Sequence, residues 1–264
     1  MKATLFMALA GLLLATAAQA DDCRQQLPAW IEQAHPGQAQ GRGLEDERGR
    51  YRVAAEQSIC KVWPARPHLT LVALLLVREE EDDYGEADLE VLVFESARQT
   101  LVARLVEPNR LDWDAVYVDA MTFDTAPYRL RGDDLAFGVR IARRGSSRVN
   151  PFYETQLNLY EVDAERLRPL IRELPISDSG GEWDGNCSGE FSDTKRVLIV
   201  TERMGNKGYR DLLLKQTRVE HRQSEVAGEC ETVEERTHRA EFSIQYDEDR
   251  YLLPIEFVSE PGVP

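Results

Sequence analysis

Beyond residue 68 the chain is built from short runs in which apolar and polar side chains alternate or β-branched residues crowd together, each closed by a polar or glycine-bearing break. These runs predict strands at 69–77, 87–95, 100–106, 115–124, 135–142, 155–162, 166–174, 190–203, 209–221, 236–246 and 250–257. Within 115–124, Val116, Val118 and the neighbouring Ala120 fall to one side, and Tyr117, Asp119 and Met121 to the other. The breaks are shorter than the crossover of roughly a dozen residues that parallel strands require. Strands adjacent in sequence are therefore expected to pair antiparallel.

One rhythm recurs. The paired runs 89–94 and 101–106, 157–160 and 167–171, and 242–246 and 251–257 each read as an outer hairpin preceded by earlier strands. The expected fold is mainly β: consecutive antiparallel meanders in about three blade-like units, arranged like an incomplete propeller, with a β-sandwich as the alternative. The first part of the chain differs. Residues 27–31 suit a short helix, 36–49 with four glycines a loop, and 51–59 a second helix, while 61–67 is too proline-rich for one. This parses the chain into a signal segment (1–20), a stapled helical and loop segment (21–67) and a mainly-β domain (68–264).

Lys2, the apolar stretch 5–15 and Ala18-Gln19-Ala20 have the order of a secretory signal peptide cleaved after Ala20. The stretch is short for a retained transmembrane anchor, and Cys23 lies three residues past Ala20, not at a lipidation point. Taking 20 residues from 264 leaves 244; with Lys2 gone, the net charge of −15 becomes −16. Such a surface repels phosphate backbones and anionic headgroups. Nucleic acid and membrane insertion are thus disfavoured, and the expected partner is an unidentified protein or small ligand, cationic ones suiting the charge best.

The four cysteines, Cys23, Cys60, Cys187 and Cys230, make an even set in an exported chain and should form disulfides. Of the three connectivities, Cys23–Cys60 with Cys187–Cys230 closes two separate short stretches and is the expected one. No C-x-x-C occurs, and no histidine stands at ligand spacing from a cysteine, so neither a zinc site nor a redox pair is read.

No G-x-S-x-G, Walker loop or G-x-G-x-x-G is present. No catalytic residue, metal ligand or cofactor is assigned. The acidic run 79–85 fails as a calcium loop because Val91 stands where a bidentate glutamate is needed, and the turn 206–211 fails because Arg203, Gly205 and Lys207 replace oxygen ligands. Two loops are chemically dense. Residues 143–152 bring Arg143, Arg144, Ser146, Ser147 and Arg148 together, a set suited to a carboxylate or phosphate on a ligand unless the arginines neutralise the protein's own acids. Residues 180–187 place Trp183 in a glycine-rich loop, either as a binding anchor or as cover for Cys187.

Cys60-Lys61-Val62-Trp63-Pro64, Asp124-Thr125-Ala126-Pro127-Tyr128, the 145–152 loop and Gly181-Glu182-Trp183-Asp184-Gly185-Asn186-Cys187 resemble a set of uncharacterised exported proteins of Gram-negative bacteria. The resemblance implies a periplasmic setting and carries over no activity. The expected role is a non-enzymatic, envelope-protective binding or interaction protein. A glycan- or peptide-directed hydrolase with paired carboxylates, or a scaffold of an envelope complex, is the alternative.

Overall fold

A computed structural model describes residues 15–38, 43–81 and 84–258, with side chains from Cys23 onward. Residues 1–14 of the expected signal peptide lie outside the described residues, as do Asp82 and Asp83 of the acidic run. The elements are α1 (Ala15–Ala34), β1 (Leu44–Asp46), β2 (Gly49–Val53), β3 (Ile59–Val62), β4 (Leu69–Glu80), β5 (Gly85–Glu95), β6 (Thr100–Trp113), β7 (Val116–Arg131), β8 (Asp134–Gly145), β9 (Phe152–Asp163), β10 (Arg166–Trp183), β11 (Gly189–Met204), β12 (Arg210–Val226), β13 (Glu229–Asp247), β14 (Arg250–Leu252) and α2 (Ile255–Val258). Every strand pair is antiparallel. One sheet runs β1-β2-β4-β5-β6, with β3 also on β4; the other runs from β7 through consecutive neighbours to β14.

The three meanders foreseen in the sequence are present, but they stack as layers instead of fanning around an axis, and the propeller arrangement gives way to the sandwich alternative. Ala73, Leu75, Leu89 and Val91 of the first sheet pack against Phe123, Phe137, Val139 and Ile141 of β7–β8. Leu157, Leu159, Leu170 and Leu174 of β9–β10 then pack against Leu212, Leu214 and Ile244 of β12–β13. On the outer face of the first sheet, Val72, Leu74, Leu76 and Phe94 receive Leu27, Trp30 and Ile31 of α1. The physical reason is in the strands themselves. From Leu69 to Val77 every residue of β4 is buried, as are five in a row of β8 from Leu135 to Val139, so these strands need a layer on both sides.

The second sheet can double back because it is partly split. β10 follows β9 along most of its length, through three register shifts, but pairs with β11 only through 177–183 against 189–195. Beyond Lys195, β11 pairs with β12 alone and carries the third layer over the second.

The helix expected at 51–59 is not formed. Tyr51 and Val53 lie in β2, whose Arg52 and Val53 pair with Val77 and Leu76, and Ile59 to Val62 pair with Ala73 to Thr70. The largely apolar β4 leaves backbone edges that these segments complete, and that tertiary demand overrides helical periodicity over so short a run. Near the chain end, only 250–252 of the run 250–257 is strand, and Ile255–Val258 turns into α2, which buries Phe257 against Phe242 with ring centroids 5.1 Å apart.

Buried acids within these layers are matched by cations and donors. Asp88 accepts from Arg78 Nε at 2.7 Å and from the Asn109 amide at 2.9 Å, and also pairs with Arg48. Glu90 meets His35 Nε2 at 2.5 Å and Arg104. Glu107 accepts from the Tyr160 hydroxyl and from Arg172 Nε, each at 2.5 Å. The first disulfide, Cys23–Cys60, ties α1 to β3, and the second, Cys187–Cys230, ties the turn between β10 and β11 to β13, both as expected. Their formation points to an oxidising, exported environment. Among the described residues, no helix is long and apolar enough to cross a membrane.

Candidate functional site

The two loops marked by the sequence converge. At the end of β10, the Gly181 amide donates to the Pro151 carbonyl at 3.2 Å, the Trp183 amide to that of Val149 at 3.0 Å, and Trp183 Nε1 to that of Arg148 at 2.5 Å. The segment 148–151 therefore runs alongside β10 and extends the sheet ahead of the start of β9 at Phe152. Asp184 shapes the next turn: its carboxylate accepts from the amides of Asn186, Cys187 and Ser188 at 2.8, 3.0 and 3.1 Å. Those bonds, that from Asn186 foremost, hold its carboxyl below the usual range. Gly185 supplies the positive φ of 81° that the turn requires, and Cys187 is delivered to Cys230 across the hairpins.

The expected arginine site is divided by this arrangement. Arg143 pairs with Asp112 at 3.2 Å and donates to the Arg110 carbonyl at 3.3 Å; Arg144 pairs with Asp119 at 3.4 Å and lies over the Tyr117 ring at 5.2 Å. Both guanidinium groups are thus engaged with the protein's own residues. Ser146 contributes its amide to the Ala115 carbonyl at 2.8 Å, and the Ser147 hydroxyl accepts from the Asn150 amide at 3.0 Å, so these residues shape the turn. Arg148 holds Trp183 through its carbonyl while its side chain is exposed. His221 and His238 do not meet. His221 stacks on Phe191 at 5.2 Å, and His238 lies 3.6 Å from Glu220.

Beside these loops lies a cleft of about 610 Å³, within the range usual for small-ligand sites; of the two loops only Phe152, Gly180, Gly181 and Glu182 line it, and Arg143, Arg144, Ser146, Ser147, Arg148 and Trp183 do not. Its floor is read from the strand register, since directly opposed residues share a face. The inner rung is Glu154, Asp178, Thr194 and Arg218, one residue from each of β9 to β12; Asp178 and Arg218 line the cleft, while Glu154 and Thr194 are covered. The middle rung is Phe152, Gly180, Ser192 and Glu220, and the outer one Glu182, Glu190 and Arg222. No sequence motif marks these residues; only the pairing of four strands assembles them.

The inner rung is unusual for its burial. Glu154 is 5% exposed and accepts from Gln156 Nε2 at 2.8 Å, and its burial pushes its carboxyl above the usual range. Asp178 beside it pairs with Arg196, whose Nε donates to Gln216 Oε1 at 2.6 Å and whose guanidinium also reaches the Pro175 carbonyl at 3.3 Å. The Thr194 hydroxyl, 1% exposed, has no hydrogen-bond partner. On the far wall Arg218 pairs with Glu220 at 3.0 Å, Arg222 with Glu234 at 3.4 Å, and Arg236 also with Glu234. Three arginines thus share two glutamates on that wall. Among the described residues no group of three or more potential ligands could hold a metal ion.

No protein-family model, curated protein or solved structure matches the chain.

Proposed function

We propose that the chain is a non-enzymatic binding protein of the extracytoplasmic space, exported by a cleaved signal peptide to a periplasmic compartment, and that its ligand sits in the cleft of the second sheet. The observation that carries this reading is the cleft's construction. A 610 Å³ concavity is floored by four paired strands, and the two loops beside it are held in place by hydrogen bonds and the Cys187–Cys230 disulfide. A floor of paired strands fixed before the ligand arrives lowers the ordering cost of binding. Long strands locate the floor, and loops on that scaffold make the contacts.

The test is a thermal-shift screen of small charged and neutral compounds against the native chain and Ser192→Trp, which fills the middle of the floor. A compound that raises the Tm of the native chain and not of the filled variant supports the reading. A screen in which every shift survives Ser192→Trp refutes it.

A hydrolase reading has one observation in its favour. Glu154 and Asp178 are adjacent carboxylates in unlike environments, one pushed toward its neutral form by burial and the other ion-paired. Against it, Glu154 is covered, and Asp178 is the carboxylate of that pair that lines the cleft. Turnover of an envelope glycan or peptide that Glu154→Gln abolishes would favour the hydrolase over the binding protein.

A further inference from the structure

We propose that two copies of the chain join edge to edge through β13, each adding its residues 233–241 as an antiparallel strand to the second sheet of the other. The edge is open. β13 pairs with β12 from Glu229 to Ile244, but its other side is taken by β14 only at Gln245 to Asp247. Main-chain groups alternate sides along an antiparallel strand. The two-residue turn at Glu248 and Asp249 makes Asp247 and Arg250 a hydrogen-bonded pair, so Asp247 and Gln245 turn their main-chain groups toward β14. Glu235, Thr237, Arg239, Glu241 and Ser243 turn theirs to the same side, where the chain has no strand among the described residues. The same phase follows from the Gly181 and Trp183 amides, which face 149–151, when the pairing is counted across β11 and β12. An open edge of this kind is where another chain adds a strand.

The side chains select the partner. Charges along an edge ordinarily keep other strands away, but here their order is self-complementary. Glu235 and Arg239 are exposed on one face with Thr237 midway between them, and neither has an ion-pair partner among the described residues. When a second copy is laid antiparallel with Thr237 facing Thr237, each Glu235 meets an Arg239 and the two threonines meet on the two-fold axis. Opposite charges and threonine pairs in these positions stabilise opposed strands. Because the main-chain groups must face, the centre has to fall on a residue, and only Thr237 serves. Centring on a charged residue sets that charge against itself, and centring on Val233 or His238 sets Glu235 against another glutamate. Centring on Ala240 or later drives the added strand into Gln245, which β14 already holds. An acidic or a basic peptide satisfies only one of Glu235 and Arg239; a second copy satisfies both.

The limits of the ladder are set by β13 itself. Arg222 pairs with Glu234 and Gln223 with Thr232, which leaves Val233 as a bulge, and the alternation changes phase beyond it. On the other face the Thr237 centre sets Arg236 against His238 of the second copy. Each is answered within its own chain, Arg236 by Glu234 and His238 by Glu220 at 3.6 Å. The two-fold axis stands perpendicular to the sheet, so both copies turn the same face to the same side. Glu234 and Arg236 line the cleft, and the two clefts therefore open on one side of a continuous sheet with these walls next to the junction. The pairing does not depend on what the cleft binds.

The experiment is sedimentation equilibrium of the full chain, of Glu235→Arg, of Arg239→Glu, of an equimolar mixture of these two variants, and of Thr237→Pro. The native chain is expected to dimerise. Each charge variant should dimerise roughly tenfold or more weakly, because two opposed pairs change from attraction to repulsion. The mixture should recover an association within roughly threefold of the native one, since each variant supplies the sign the other lacks. That recovery also excludes misfolding as the cause of the losses. Thr237→Pro removes an amide that faces outward and no bond to β12, and should weaken the dimer roughly tenfold or more. A native chain that stays monomeric up to about 1 mM overturns the proposal. So does a dimer that the charge variants or Thr237→Pro leave intact, or a mixture no more associated than its components.

Discussion

Removing the Cys187–Cys230 bridge by Cys187→Ser/Cys230→Ser is expected to open one arm of the protein while leaving its core closed. The cysteines are 43 residues apart, and constraining a loop of that length in the unfolded chain contributes about 4 kcal/mol in the chain-entropy picture, with about 2–4 kcal/mol the usual yield. What matters is where the loss appears. No residue from 217 to 241 has a buried side chain, so the β12–β13 arm is held by backbone pairing, its surface ion pairs and this one covalent link. The same strands continue into Leu212, Leu214 and Ile244, which are fully buried in the second core. Amide hydrogen exchange, read residue by residue, should accelerate by about a hundredfold to a thousandfold across 219–237, since each 1.4 kcal/mol is about tenfold. Amides of 212–214 and 242–244 should change by less than about tenfold. Uniform acceleration along both strands would refute the separation of arm from core, and no acceleration would refute the staple.

Three further outcomes follow from the layers. Phe137→Ala should lower stability by about 3–5 kcal/mol in urea unfolding, because the ring is fully buried between layers against Trp63 at 5.3 Å and Tyr160 at 5.8 Å; a loss under about 1 kcal/mol would contradict the stacking. Arg78→Met should cost about 1–3 kcal/mol by removing one of the cations on buried Asp88, which keeps Arg48 and the Asn109 amide. Arg78 also hydrogen-bonds Asp46 and holds its carboxyl at about 2, so the native chain keeps that contribution above the ordinary value of 3.8 and loses it as pH falls toward 2. Acid unfolding followed between those limits should be less steep in the variant, and an unchanged profile would sink the linkage. Glu154 has the opposite sign: its raised folded value means that stability falls as pH rises past its ordinary 4.5, so Glu154→Gln should gain on the native chain with rising pH; a difference that does not grow would show that burial does not disfavour its charge.

The sequence made the meanders readable and their arrangement much less so. Alternation in 115–124 and the short breaks between runs are local, and they located most of the strands that form. What set the stacking was the burial of consecutive residues, as in Leu135 to Val139, and a continuous apolar run is compatible with either a blade or an inner layer. β2 and β3 escape a local reading for a related reason. Nothing in Tyr51 to Val62 announces that β4, some residues later, has edges to be paired. The loops stand out by their chemistry, and Trp183 and Arg148 do meet, but through a main-chain oxygen, so the guanidinium that draws notice is not the contact. The cleft floor has no local signal at all. Glu154, Asp178 and Thr194 are brought into line by three strands and a register shift near Pro175.

That register shift links the core to the cleft. β10 to β13 are 16 to 19 residues long, about three times the usual strand. Each therefore has a half that packs in the second core and a half that extends past it, and the same face changes from Leu212 and Leu214 to Gln216, Arg218 and Glu220 along β12 alone. On β10 the change of role coincides with a change of step. Leu174 pairs with Leu157 and Pro175 with Gln156, but Ser177 then pairs with Thr155 and Asp178 with Glu154. Without that irregularity the count would run on unbroken, setting Ser177 opposite Glu154 and Asp178 opposite Tyr153. A slip of one residue moves a side chain to the other face of the sheet, so a serine hydroxyl would take the place of the Asp178 carboxylate beside Glu154. Arg196 would lose its ion-pair partner on that face, and the acidic inner rung would not exist.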